Sequence, residues 1–125
     1  MNCPFCVDDF ANSIHAGKHF FLKWDAYPVS EGHLLVIPRR HVEVISDMSE
    51  EEGHELFLAI RAGLQSVQET YNPEGVNIGV NIGRAAGQTI RHLHFHIIPR
   101  RSGDVADPRG GVRGVIPGRA SYNLS

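Results

Sequence analysis

The chain has 125 residues, 42% hydrophobic and 21% charged, which fits one globular domain and leaves little room for a second. A formal net charge of −2 argues against a general binder of nucleic acid or of membrane surfaces. No apolar run approaches the roughly 18 residues needed to span a bilayer. Met1-Asn2-Cys3-Pro4 lacks the basic and apolar regions of a secretory leader, so the expected location is the cytoplasm.

The only two cysteines, Cys3 and Cys6, form a C-x-x-C. In a reducing cytosol they leave three readings: half a metal site, a redox pair or free thiols. Residues 18–24 (KHFFLKW) are aromatic and apolar enough for a strand, and Asp25 to Gly32 reads as a turn-rich connection. His33 to Ile37 is a second apolar run of strand length, stopped by Pro38 and followed by Arg39-Arg40-His41. Ser49 with Glu52 three residues on is a capping box that starts a helix, and its acidic first turn suits the helix dipole. Leu56, Ile60, Leu64 and Val67 recur at helical spacing as a buried stripe. Gly63 weakens that helix, and Asn72-Pro73 ends it. Residues 76–82 alternate like a strand, residues 83–87 are a Gly-rich loop, and His92 to Ile98 forms a further strand ended by Pro99. Strands, one main helix, then strands predict an α+β fold on an antiparallel sheet. The expected domain is 1–103. Residues 104–125 are rich in Gly, Pro and Arg and are expected as an extended or mobile tail.

The chemistry centres on His92-Leu93-His94-Phe95-His96. Strand side chains alternate faces, so the three histidines are expected on one face and Leu93, Phe95 and Ile97 on the other. Such a row suits a transition-metal site. It also suits nucleophilic catalysis, in which one imidazole attacks while neighbours orient it and handle protons. The residues ahead of the row separate the two. Gly87 can leave backbone open to an anion, and Gln88 and Thr89 supply neutral donors. A phosphate-binding edge beside a nucleophile favours phosphoryl or nucleotidyl transfer over metal hydrolysis. His15, His19 and His54 have no patterned neighbours and read as surface residues.

Gly87-Gln88-Thr89 followed by His92-Leu93-His94-Phe95-His96-Ile97-Ile98 resembles the signature of the histidine triad (HIT) superfamily. Asp25-Ala26-Tyr27-Pro28, Gly32 to Pro38 and Arg39-Arg40-His41 resemble the N-terminal half of the same domain. Pro99-Arg100-Arg101-Ser102-Gly103-Asp104 resembles the branch of fragile histidine triad enzymes and bacterial diadenosine polyphosphate hydrolases. The resemblance implies His94 as the nucleophile on an α-phosphorus, through a nucleotidyl-histidine intermediate. It implies His96 and Gln88 at the phosphate and leaving group, with Gly87 and Thr89 beside them. Asp25 matches the ribose-binding position, Asn81 a phosphate-contacting asparagine, and His33 the histidine beside the triad. Cys3, Cys6, His41 and His92 match the ligands of structural zinc in a zinc-binding branch. A homodimer with a continuous sheet is implied, as is an apolar base pocket.

The substrate favoured by these matches is a dinucleoside polyphosphate, with a nucleoside phosphoramidate second. A nucleotide-sensing module with little turnover and a zinc hydrolase using the triad as ligands remain open at this stage. Lys23-Trp24 and Glu31 depart from the common pattern without removing a catalytic group, and they leave base specificity open. The arginines of the tail can reach distal phosphates or stay solvated.

Overall fold

The computed structural model describes residues 3–7 and 13–122; the ends of the chain, including residues 123–125 of the expected tail, lie outside the described residues. Five strands form one sheet in the order β1-β2-β3-β5-β4: β1 Ser13–Ala16, β2 Phe20–Trp24, β3 Leu34–Pro38, β4 Gly75–Val80 and β5 Phe95–Arg100. Every pairing is antiparallel. The one α-helix among the described residues, α1 at Glu50–Tyr71, packs across β2, β3 and β5. The α+β class with one main helix is therefore the observed architecture. No helix among the described residues is long and apolar enough to cross a membrane.

The ends of α1 follow local chemistry. Ser49 Oγ accepts from the Glu52 N–H at 3.1 Å, and Glu52 Oε1 accepts from the Ser49 N–H at 2.8 Å. At the other end Asn72 takes the left-handed conformation, φ 46°, and caps the helix ahead of Pro73. Asparagine tolerates that region better than most residues. The deepest line of the helix is Ala59, Gly63 and Val67, flanked by half-buried Leu56, Ile60 and Leu64. Gly63, which weakens the helix in isolation, is where helix and sheet approach most closely. A Cβ there would stand 2.7 Å from Ile97 Cδ1 and 3.1 Å from Leu34 Cδ2.

The sheet divides the core in two. Phe20, Leu22, Leu34, Val36, Phe95 and Ile97 face the helix, and Phe21, Leu35 and Ile37 pack on the other side with Cys3 and Phe5. His96 pairs directly with Leu35, so it points to the face away from the helix.

Several expected boundaries shift. The last strand begins at Phe95, not His92, because the Leu93 N–H bonds to Val42 O at 2.7 Å and takes the preceding residues out of the ladder. His92 and His94 therefore precede the strand. Its other end runs through Pro99, paired with Val76, to Arg100. Strand β3 likewise includes Pro38, while β1 carries no clear sequence signal. His15 and His54 are exposed, whereas His19 is half-buried and lies 3.1 Å from Glu51.

The Gly/Pro/Arg-rich segment is more ordered than its composition predicts. Asp104 takes two hydrogen bonds of 2.8 Å from Arg100. A 3-10 helix, Gly111–Val115, then lies against β4. Arg113 closes the turn that follows, donating to the Ala120 and Arg119 carbonyls and stacking over Tyr122.

Candidate functional site

His92 is fully buried, and its Nε2 lies 2.7 Å from the Pro38 carbonyl. A carbonyl only accepts, so Nε2 carries the proton and Nδ1 presents its lone pair. That lone pair faces Cys3 Sγ at 3.3 Å, Cys6 Sγ at 3.5 Å and His41 Nδ1 at 3.2 Å, and Cys6 Sγ is 3.1 Å from His41 Nδ1. The four ligand atoms lie within 4.8 Å of one another. Tetrahedral zinc at its usual bond lengths separates two nitrogens by about 3.3 Å and nitrogen from sulfur by about 3.5 Å. The donor set and its spacing fit that ion. The Pro38 bond is the outer-shell contact that fixes a ligating imidazole's tautomer. Burial also holds the His92 pKa below its ordinary value, favouring the neutral ligand form.

His94 stands just outside this cluster. Its Nδ1 lies 2.8 Å from the His92 carbonyl, so Nδ1–H donates and Nε2 keeps a free lone pair. The ring rests between Phe5, with centroids 5.2 Å apart, and His96, at 5.1 Å.

The next pair is set by a backbone amide. The Val29 N–H donates to His33 Nδ1 at 3.1 Å, which leaves the His33 proton on Nε2. That proton faces His96 Nδ1 at 2.9 Å, with Asp25 Oδ2 farther off at 3.4 Å. His96 Nδ1 must then accept, so its own proton sits on Nε2. Burial, reinforced by neighbouring His94 and His33, pushes the His96 pKa down to about 4. His33 is also lowered by burial, with Asp25 opposing. The site thus sets the Nε2 side of His94 beside a His96 Nε2–H donor that is neutral at pH 7.

The three histidines have different surroundings, unlike the single shared face read from strand alternation. His92 belongs to the cysteine cluster, half-buried His94 to the smaller of two recesses, and His96 to the His33–Asp25 pair. Two recesses flank them. A cleft of about 250 Å³ is lined by Phe5, Trp24, Asp25, Leu35, Ile90 and His94. A larger cavity of about 630 Å³ holds His33, Asn77, Asn81 and His96 on one side and the C-terminal 3-10 helix on the other.

Gln88 and Thr89 line a third recess, with Gly87 and Arg91. The Gln88 side chain is engaged within its own neighbourhood: Oε1 accepts from the Gly83 N–H at 2.9 Å and Nε2 donates to Glu43 O at 2.8 Å. Gly87 caps the short 3-10 helix Arg84–Ala86 at φ +91°, a backbone region that favours glycine. Asp25 Oδ1 accepts from the Tyr27 N–H at 2.9 Å. Trp24 is half-buried, packs edge-on against Tyr71 and also borders the smaller cleft.

Sequence reasoning missed Phe5, which contacts both His92 and His94, because nothing in a C-x-x-C marks the residue inside it. It also missed Val29 and Pro38, which act through backbone groups and have no side-chain signature. Asn77 escaped notice too, although it sits two positions from Gly79, the residue paired with His96, on the same strand face.

Residues 11–103 match the HIT domain family. The chain is 32% identical over 102 residues to AP-4-A phosphorylase of Mycobacterium tuberculosis, covering 81% of this chain and 52% of that one. It is 40% identical over 77 residues to bis(5'-adenosyl)-triphosphatase of Dictyostelium discoideum, covering 62% of this chain and 52% of that one. The chain thus spans about half the length of these relatives. Its fold is similar to the crystal structure of a Zn-bound histidine triad family protein from Mycobacterium smegmatis, with a TM-score of 0.74 and 33% identity, covering 86% of this chain and 81% of that one.

Proposed function

The chain belongs to the HIT domain family, and from that premise we propose that it hydrolyses dinucleoside polyphosphates at the α-phosphorus, with His94 as the nucleophile. The observation that carries this reading is the bond from His94 Nδ1 to the His92 carbonyl, which leaves Nε2 as the lone-pair donor of a residue that lines the smaller cleft. Nε2 attacks phosphorus and forms a P–N bond. The P–O bond to the rest of the chain breaks, and its electron pair stays on the departing phosphate oxygen. Water then attacks the same phosphorus, and the P–N bond breaks with its pair returning to Nε2. One proton of the water stays with the nucleoside monophosphate and the other passes to solvent.

His96 supports the departing oxygen by a hydrogen bond from Nε2–H. Being neutral down to about pH 4, it stabilises charge without supplying a full proton. A polyphosphate leaves as an anion and needs none. An amine leaving from a phosphoramidate does need one, which puts the phosphoramidase reading second. Asp25 accepts from ribose hydroxyls in the smaller cleft, whose apolar walls take the base. Asn81 contacts phosphate. Gly87, Gln88 and Thr89 meet the phosphate and leaving-group oxygens once the Gln88 amide exchanges its contacts with Gly83 and Glu43.

A zinc ion held by Cys3, Cys6, His41 and His92 has all four positions filled by protein, and so is structural. Those ligands tie the N-terminal segment to His92, whose carbonyl orients His94. Such thiol ligands suit a reducing cytoplasm. The outer edge of β4, unpaired among the described residues and with Ile78 exposed, is the edge through which a homodimer continues the sheet.

The test uses diadenosine tetraphosphate labelled at the α-phosphorus. Acid-quenched wild type carries label on His94, and His94→Ala carries none and has no turnover. Turnover that survives in His94→Ala sinks the nucleophile assignment. Loss of the trapped label in the presence of a chelator, with the fold retained, would give zinc a direct part in the chemistry.

A further inference from the structure

The larger cavity meets the chemistry above only along its edge at His33, His96 and Asn81, and the rest of its lining has no role there. Its position, composition and size are informative. His94 opens on the smaller cleft with Asp25, whereas His96 and His33 open on the larger cavity. A phosphate held by His94 and His96 would therefore lie between two recesses. On the far side from Asp25, none of the lining residues is a lysine, arginine, aspartate or glutamate. The walls are aliphatic, including Ile98, Val112 and Val115; the polar groups are the Asn81 carboxamide, the Asn77 carboxamide, whose Oδ1 already accepts from Arg100 Nη1 at 2.7 Å and so leaves its Nδ2 as donor, and two imidazoles whose pKa values are both lowered. A polyphosphate has nothing there to neutralise it. A flat uncharged heterocycle finds apolar walls and amide donors and acceptors, and about 630 Å³ falls inside the about 300–1,000 Å³ range of small-molecule sites. Val112 and Val115 are 58% and 77% exposed, apolar surface that an occupant would cover.

Resting on the reading of the chain as a dinucleoside polyphosphate hydrolase, we propose that the cavity between β4 and the 3-10 helix Gly111–Val115 binds the second nucleoside, the one that leaves with the polyphosphate. The substrate then spans the triad, one base in each recess, with its phosphates over His94 and His96. The C-terminal segment, beyond the matched residues 11–103, becomes a specificity wall for the leaving group.

The probe is diadenosine tetraphosphate added to the His94→Ala variant, with AMP as the one-nucleoside comparator. Valine methyl and tryptophan indole signals are followed by NMR. AMP should move Trp24 alone; the dinucleotide should move Trp24, Val112 and Val115. Val112→Asp should weaken the dinucleotide about tenfold, the scale of losing one buried valine contact, and leave AMP within twofold. Still signals at Val112 and Val115, whatever Trp24 does, overturn the proposal, and so does equal weakening of both ligands by Val112→Asp. Turnover by wild type is scored separately. Moving valine signals without turnover would keep this site and refute the hydrolase reading; turnover with still valines would do the reverse.

Discussion

Glu52→Gln perturbs the point where the helix start meets the segment that carries His41. Glu52 is the N3 residue of α1, yet its side chain is only 4% exposed. Its carboxylate accepts from Arg40 Nη2 at 2.7 Å and Nε at 3.2 Å, and from the Ser49 N–H at 2.8 Å. Arg40 also donates to Asp47 O at 2.7 Å and directly precedes His41. The Arg40 guanidinium is the largest cause that pulls the Glu52 pKa from 4.5 to about 2. At about 1.4 kcal/mol per unit, that shift corresponds to about 3 kcal/mol. Arg40 is 55% exposed, so solvent screening reduces the figure to about 2 kcal/mol. Glutamine keeps the shape and the Ser49 bond, and loses the charge. The sign follows from a folded-state pKa below the unfolded one: the stabilisation is complete above about pH 4.5 and is lost as pH falls toward about 2. Urea unfolding at pH 7, 5, 4 and 3, in chelator throughout so that metal release adds no pH dependence of its own, measures it. The wild type should exceed the variant by about 2 kcal/mol at pH 7, and the gap should close steadily below pH 4.5. A gap that stays constant down to pH 3, or is absent at pH 7, refutes the ion-pair reasoning.

Other outcomes follow from the same geometry. The wild type should bind one zinc per chain with proton release, and chelation should lower its thermal midpoint; Cys6→Ser should lose both the uptake and the response to chelator. The His96 ring should titrate by NMR near pH 4 rather than near the free value of about 6.5; because its folded pKa is depressed, the stability linked to it is present above about 6.5 and lost as pH falls toward 4. Gly63→Ala should gain about 1 kcal/mol of helix propensity and lose about 1–3 kcal/mol to crowding against Ile97 and Leu34, a net loss read by urea unfolding. A more stable Gly63→Ala protein would mean that the sheet gives way easily at that contact.

Much of the architecture is local and therefore legible in the chain. Ser49 and Glu52 mark the start of α1 because a capping box needs only residues three apart. Asn72-Pro73 marks its end for similarly local reasons. Aromatic and apolar runs identify β2 and β3, and alternation identifies β4, each within about two residues. Gly63 shows the limit of such reading. Propensity alone counts it as a weakness, and the packing that requires it involves Leu34 and Ile97, distant in sequence. The C-terminal segment is a similar case, since its composition hides the Arg113 contacts that fold it back.

The chain by itself determined that three histidines at every second position stand beside a Gly-Gln-Thr edge, that two cysteines are available, and that an α+β sheet carries them. The family resemblance already implied different roles for the three; the tertiary structure gives each its own surroundings. Strand alternation gives the same environment to His92, His94 and His96, and it holds only within a strand, whereas β5 starts at Phe95. What separates them comes from far along the chain: Cys3 reaches His92 across 89 positions, and His33 reaches His96 across 63. The tautomers are fixed by the Pro38 and His92 carbonyls and the Val29 amide. Backbone groups of that kind are present at nearly every residue, so only folding can select which of them an imidazole meets.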